Sequence, residues 1–260
     1  MYPIDLTGKT AVVFGVANHR SIAWDIAKIL DQAGAEVIIG YQNERVFDSV
    51  KSLSRTLIQP STLVECDASE DSKIENAMNK IGDASKSGTV DIIVHSIAFA
   101  DKNDLGGPFV DVSKSGFITA LTISAYSLIP IARYGSKYMT DGGSIISMTY
   151  QASTRVFPGY NVMGTAKAAL ENEIKQIASD LGHLNIRANA ISAGPLDTLS
   201  SRAISGYRDM KNIHKEKSPL KRNITTEEVS KTALFLSSDL SSGITGEIIH
   251  VDTGYNIMGI

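Results

Sequence analysis

Short runs of β-branched and aliphatic residues alternate along the chain with stretches whose apolar positions recur every three or four residues. The first pattern predicts strands and the second amphipathic helices. Strands are expected over 10–15, 36–41, 62–66, 91–95, 144–149, 187–191 and 247–251, and helices over 21–33, 46–57, 72–81 and 167–181. A long helical region is expected over 113–139, and Pro130 inside it should start a helix or kink one. Strands this apolar, each followed by a helix, are buried on both faces. The fold class expected is therefore α/β, a doubly wound parallel sheet of about seven strands flanked by helices.

No linker, low-complexity tract or internal repeat interrupts the series, so residues 1–260 read as a single domain. The one long excursion, 196–221, is Ser/Arg-rich and begins just past the sixth strand. Open α/β sheets bind ligands beyond the carboxyl ends of their strands, so this excursion is a candidate lid.

Hydrophobic residues make up 43% of the chain, enough to fill the core of a single domain. A formal charge of −3 with no Lys/Arg block argues against nucleic-acid binding. The longest nearly apolar stretch, 121–132, is too short to span a bilayer, so no membrane association is expected. The opening Met-Tyr-Pro-Ile-Asp-Leu-Thr-Gly-Lys lacks the basic and apolar regions of a secretion signal, and a cytoplasmic location is expected. Cys66 has no partner for an internal disulfide and reads as a small core residue. The five histidines show no metal-ligand spacing, and no metal is expected.

The chemistry is expected between Tyr150 and Lys167, where a strand gives way to a helix. If that helix starts near Pro158, Tyr160 and Lys167, seven positions apart, share one of its faces. A phenol and an ammonium would then line one groove.

The turn after the first strand holds Gly15, Ser21 and Ile22, and such a turn offers backbone N–H groups and a positive helix end to a phosphate. It lacks the full G-x-G-x-x-G pattern, and it reads equally as a plain βα turn capped by Ser21. Gln42, after the second strand, suits two ribose hydroxyls and gives no charge to a 2′-phosphate; the nearest cation is Arg45. NADH is therefore expected over NADPH. Asp67, followed by Ala68, reads either as an acceptor for the adenine amine or as a turn residue. Ser96 and Ile97 end the fourth strand where the cofactor ribose should pass. Leu196 and Thr198 follow Gly194-Pro195 after the sixth strand, with backbone amides for the carboxamide and a hydroxyl near the phosphates.

Taken together, the turn with Ser21-Ile22-Ala23, the segment His95-Ser96-Ile97-Ala98-Phe99, Tyr-Asn-Val-Met at 160–163, Ser192-Ala193-Gly194-Pro195, and Ser242-Gly243-Ile244-Thr245-Gly246 resemble the NADH-dependent enoyl-acyl-carrier-protein reductases. These are a divergent branch of the short-chain dehydrogenase/reductases, with a Rossmann-type domain, and the likeness covers essentially the whole chain. The resemblance implies that Tyr160 contacts the thioester carbonyl, that Lys167 holds the nicotinamide ribose, and that Tyr150 lies at the mouth of the acyl site. It also implies an acyl-carrier protein bearing the substrate and a homotetramer. The acyl tunnel is expected from Phe99, Met163, Ile204, Tyr207 and Met210, with Ala100 at the thioester end; a helix-packing stripe is the other reading of the last three.

The chemistry agrees with the spacing. Hydride addition to an enoyl thioester needs a donor where an enolate oxygen develops, and no alcohol has to be deprotonated. A lysine two turns from the phenol therefore suffices.

Two residues depart from the resembled pattern. Asp197 stands where a base is common beside the pyrophosphate, which predicts weaker phosphate binding unless the carboxylate turns away. Pro130 falls in a helix that is usually continuous in relatives, which predicts altered packing at a subunit contact. Ser147, thirteen residues before Tyr160, supports an alternative NADPH-dependent 3-oxoacyl or ketone reductase, against which Gly164 argues because such enzymes keep Lys there. A dinucleotide-binding regulator without activity is the third reading.

Overall fold

The computed structural model describes residues 4–198, 201 and 206–259. Among them are the parallel strands β1 Thr10–Phe14, β2 Glu36–Tyr41, β3 Thr62–Glu65, β4 Ile92–His95, β5 Gly143–Thr149, β6 Ile186–Ala193 and β7 Ile248–Val251. They form one sheet in the order β3-β2-β1-β4-β5-β6-β7. Each expected strand is present, with ends shifted by at most two residues. The helices are α1 Ile22–Gln32, α2 Glu44–Ser54, α3 Asp71–Ala84, α4 Lys114–Leu121, α5 Leu128–Gly135, α6 Val162–Leu181, α7 Tyr207–Lys217 and α8 Thr226–Ser237.

The sheet is sandwiched because its strands are apolar on both sides. Val13 and Ile39 face a core built with Trp24, Ile26 and Leu30 of α1 and Val229, Ala233 and Leu236 of α8. Val12 and Ile38 face the opposite core of Ile74, Met78 and Ile81 from α3, Leu128 and Ile131 from α5, and Leu170 and Ile174 from α6. Strand order reverses between β1 and β4, which opens a crevice beyond their carboxyl ends.

Four sequence expectations are corrected. The helix after β5 starts at Val162, not near Pro158: Asn161 stands at φ +39°, a region that breaks a helix, and Tyr160 lies in the turn before it. The excursion past β6 is not irregular throughout, since it contains α7. The sequence reading had no helix for α8, although Thr225 and Glu228 form a capping box at its start. The region 113–139 is helical but contains a π segment, Thr122–Tyr126, in which Ser127 N–H bonds the Thr122 carbonyl at 3.1 Å. Pro130 follows in the first turn of α5, so it starts a helix after an existing irregularity.

The helical run Lys114–Tyr138 is long and apolar enough to cross a membrane by length and composition. Half of its apolar window is buried inside the fold, where Leu128 and Ile131 pack in the core, so the run reads as a core helix.

Helix α6 also carries a misfit. The Oε2 of Glu173 is buried with no hydrogen-bond partner among the described residues, and burial raises this carboxyl to about 7, Lys167 opposing. A folded-state value above the unfolded one, about 4.3, stabilises only while the group is protonated, and that contribution is lost as pH rises through about 7. Glu173→Gln is therefore expected to raise the melting temperature at pH 8 and to leave it unchanged near pH 4. Thermal melts across that range check this; equal shifts at both ends would contradict it.

Candidate active site

At the crevice between β1 and β4, Gly15 takes φ +101°, and a Cβ there would drive into the Ser96 carbonyl oxygen. Only glycine lets the turn after β1 approach the exit of β4 this closely. Ser21 precedes α1 but does not cap it, which corrects the plain-cap reading. Its hydroxyl oxygen instead accepts from the N–H groups of Ala17 and Asn18 at 3.1 and 3.2 Å. The N–H groups of Ile22 and Ala23 find no acceptor among the described residues. Free donors at a positive helix end, beside a glycine with no side chain, fit the phosphates of a dinucleotide.

A cavity of about 390 Å³ continues this crevice, lined by His19 and Arg20 of the turn, Leu196 and Asp197 after β6, Lys211 of α7 and Thr225 before α8. Thr198 N–H bonds the Leu196 carbonyl at 2.9 Å, and its hydroxyl accepts from Ser201 N–H at 3.1 Å. At the far end of the crevice Gln42 is exposed and Ala68 buried. Asp67 is occupied as a turn residue: Oδ1 accepts from Ser69, and Oδ2 pairs with Lys73 at 3.3 Å.

On the other side of the site lies a cavity of about 650 Å³. Tyr150, Phe157, Tyr255 and His214 form its wall, and Tyr160 packs on Tyr150 without lining the cavity itself. Tyr160 meets Tyr150 edge-on at 5.1 Å between centroids, Tyr150 meets Phe157 at 4.8 Å, Phe157 lies 6.5 Å from Tyr255, and Tyr255 lies 4.8 Å from His214. Met210 and Ile213 of α7 close it. A concave, largely apolar space of this size suits a chain-like ligand. The Tyr150 hydroxyl donates to Met210 Sδ at 3.2 Å, a weak acceptor. The Tyr160 hydroxyl has no partner among the described residues, and its side chain is half-buried. Burial raises both phenols above their ordinary range, so both are neutral donors at pH 7.

Lys167 is buried in the second turn of α6 and donates to the Met148 carbonyl at 2.8 Å. Burial lowers its ammonium to about 8, with Glu171 and Glu173 opposing. Behind it, Ser127 and Ser147 bracket the buried His95 at 2.8 and 3.1 Å. Ser127 gives its proton to the Ile123 carbonyl, so its oxygen accepts from Nε2–H, and Nδ1 accepts from Ser147. Burial, with Lys167 nearby, pulls His95 down to about 3 and keeps the ring neutral.

Several expected substrate contacts do not reach the large cavity. Met210 lines it, but Tyr160, Phe99, Ala100, Met163 and Tyr207 do not. Met163 is buried and accepts from Ser124 at 3.7 Å, while Phe99 is exposed with its backbone N–H and carbonyl both on the Ser124 hydroxyl. Tyr207 donates to the Leu196 carbonyl at 2.5 Å, burial having raised its phenol to about 12. Tyr207 and Met210 belong to a regular helix, the setting that the helix-packing reading requires. Ile204 lies outside the described residues. The sequence reading missed Phe157, Ile213, His214 and Tyr255; Tyr255 was findable as an aromatic just past the carboxyl end of the last strand. It also missed Asn161, whose Nδ2 donates to the Gly106 carbonyl at 2.5 Å and ties that loop to the start of α6.

A sequence profile described as enoyl-(acyl carrier protein) reductase matches residues 15–256. The chain is 48% identical over 255 residues to an enoyl-[acyl-carrier-protein] reductase [NADH] of Bacillus cereus, covering 98% of this chain and 99% of that one. An NADPH-named counterpart from Staphylococcus aureus is 46% identical, with 97% and 98% covered. The crystal structure of the Bacillus cereus enoyl-acyl carrier protein reductase with NADP+ and indole naphthyridinone superimposes with a TM-score of 0.96 at 47% identity, over 100% of both chains.

The close approach at Gly15 yields a test. Gly15→Ala combines a positive φ with a clash against Ser96, a strain of about 1–3 kcal/mol. It is expected to weaken dinucleotide binding at least about tenfold while far-UV circular dichroism stays that of the folded protein. Unchanged affinity in a fluorescence titration would remove the turn from the cofactor site.

Proposed function

The chain belongs to the enoyl-(acyl carrier protein) reductase family and reduces the trans-2 double bond of enoyl thioesters in fatty-acid elongation with NADH; we propose that Tyr160, Tyr150 and Lys167 divide that chemistry among them. NADH, when bound, supplies a hydride. Reduction at the β-carbon sends negative charge to the thioester carbonyl oxygen, and that oxygen needs a donor in place before the charge appears. Tyr160 is that donor. The observation that carries this reading is the pairing of its unpartnered hydroxyl with a neighbour, Tyr150, whose hydroxyl is engaged with Met210 at 3.2 Å.

Tyr150 holds the wall of the acyl cavity against α7. Lys167 faces the nicotinamide ribose, and its lowered ammonium, near 8, stays charged at pH 7 while the Met148 carbonyl orients it. Gly15, Ser21, Ile22, Ser96, Ile97, Leu196 and Thr198 line the dinucleotide; Gln42, with Ala68, takes its adenosine end, and Asp67, engaged with Ser69 and Lys73, shapes the turn beside it. Gln42 has no charge to offer a 2′-phosphate, which supports NADH over NADPH. Helix α7, within the segment 196–221, lines both cavities and serves as their lid.

An acyl-carrier protein delivers the thioester. We place the enzyme in the cytoplasm as a homotetramer; exposed Phe117 and Ile118 on α4, 36% and 53% accessible, suit burial between copies. The ketone-reductase alternative meets two obstacles. Ser147 is fully buried and engaged with His95, and a side chain at Gly164 would press on the Ala152 carbonyl at 2.9 Å.

Purified protein is expected to oxidise NADH, followed by absorbance, with a crotonyl thioester and not with an acetoacetyl thioester. The reverse preference overturns the reading. NADPH should serve less well.

Tyr160→Phe should lower kcat about 100-fold, the loss of one oxyanion donor, with NADH affinity near wild type. Lys167→Ala should weaken NADH binding instead. Equal loss of cofactor affinity in both variants would remove this division of roles.

A further inference from the structure

Helix α7 touches both cavities with different residues. Tyr207 and Lys211, one turn apart, reach the segment after β6, while Met210, Ile213 and His214 line the acyl cavity. Lys211 Nζ pairs with Asp197 Oδ2 at 2.5 Å, and both line the 390 Å³ cavity beside Arg20 and His19. The pair is lopsided. The Lys211 side chain is 23% exposed and that of Asp197 71%. Lys211 is thus held in the cavity wall, whereas Asp197 can leave for water at little cost, because exposed ion pairs are weak.

The charge balance of this cavity shows what it offers an anion. Asp25 pairs with Lys28 at 2.5 Å, and Asp197 pairs with Lys211, so among the described residues Arg20 is its one guanidinium or ammonium without a carboxylate. A pyrophosphate carries two negative charges. Arg20, an exposed cation lining the cavity, is available for one of them. The N-terminus of α8 does not meet the second, because Thr225 and Glu228 cap it and Glu228 is itself held by Arg222.

We infer that Lys211 is a cofactor-positioning residue, parked on Asp197 and transferred to the dinucleotide phosphates, so that phosphate occupancy draws α7 toward the crevice. This rests on the dinucleotide reading above. It gives Asp197, an acid beside a phosphate site, a definite part: it keeps the lysine in place until the anion arrives. Charge-assisted bonds to phosphate are stronger than an exposed ion pair, so the exchange runs toward the ligand.

Fluorescence titration of the full-length protein with NADH tests this. Lys211→Met keeps the apolar stem and removes the charge, and should weaken NADH binding about tenfold. Lys211→Arg should restore most of it. Asp197→Asn, which frees the lysine, should bind NADH at least as tightly as wild type. Reduced nicotinamide riboside, which has no phosphate, should bind wild type and Lys211→Met alike.

If Lys211 serves only to pin α7, Asp197→Asn and Lys211→Met weaken binding together, and the inference fails. It also fails if Lys211→Met binds NADH as wild type does. A wild-type protein that gives no NADH signal overturns the dinucleotide reading itself, a result distinct from either.

Discussion

An ammonium group taken out of water must keep an acceptor, and for Lys167 that acceptor is the Met148 carbonyl at 2.8 Å. This bond ties the start of α6 to the end of β5, so the loop between them leaves and returns at one place. Tyr150 stands at the head of that loop and Tyr160 at its foot, and with both ends held their rings meet edge-on at 5.1 Å. Burial of the charge is not free: it lowers the ammonium to about 8, and the nearby Glu171 and Glu173 recover part of that loss. A lysine at position 164 could not do the same, since its Cβ would sit 2.9 Å from the Ala152 carbonyl. The seven-residue interval between phenol and ammonium is the one this backbone accommodates.

The floor of the site obeys the same rule of paired buried groups. His95 is fully buried, and Ser127 and Ser147 satisfy its two nitrogens. Ser127 can do so because the π segment ahead of α5 turns it inward; in the same segment Ser124 accepts from Phe99 N–H and donates to Phe99 O, both at 2.9 Å. The exit of β4 is thereby fixed from behind, and Ser96 is set against Gly15 from in front. A π segment usually marks a functional irregularity, and here it braces the exit of β4 while leaving the helical run Lys114–Tyr138 otherwise continuous.

The sheet was legible in the sequence because each strand is an apolar run bounded by turn residues, a signal that depends on burial alone. Gly15 and Ser21 were also legible, as a glycine and a hydroxyl between a strand and a helix. The start of α6 was not: Pro158 is a good first-turn residue, and nothing local announces that Asn161 will take a positive φ. That geometry is held by its bonds to Gly106 and Gly107, residues distant in sequence. The acyl cavity was least legible. Phe157, His214 and Tyr255 come from three separate segments, and only the folded chain places them side by side. Tyr207 and Met210 look alike as apolar positions, yet one carries a hydroxyl aimed at Leu196 and the other closes the cavity.

Helix α7 is the element on which both halves of the site meet. Its one buried residue is His214, so packing does little to hold it. Its position comes from polar bonds instead: Tyr207 to the Leu196 carbonyl, Lys211 to Asp197, Tyr150 to Met210, and His214 to Asn223 at 3.2 Å. Elements with few apolar contacts sit at the low end of local stability and move first. A shift of α7 toward the crevice would carry Met210 and Ile213 along with Lys211, because all three lie within one turn of a rigid helix. On the inference drawn above, the width of the large cavity would then be set partly by what fills the crevice, and both substrates would bind through one mechanical part.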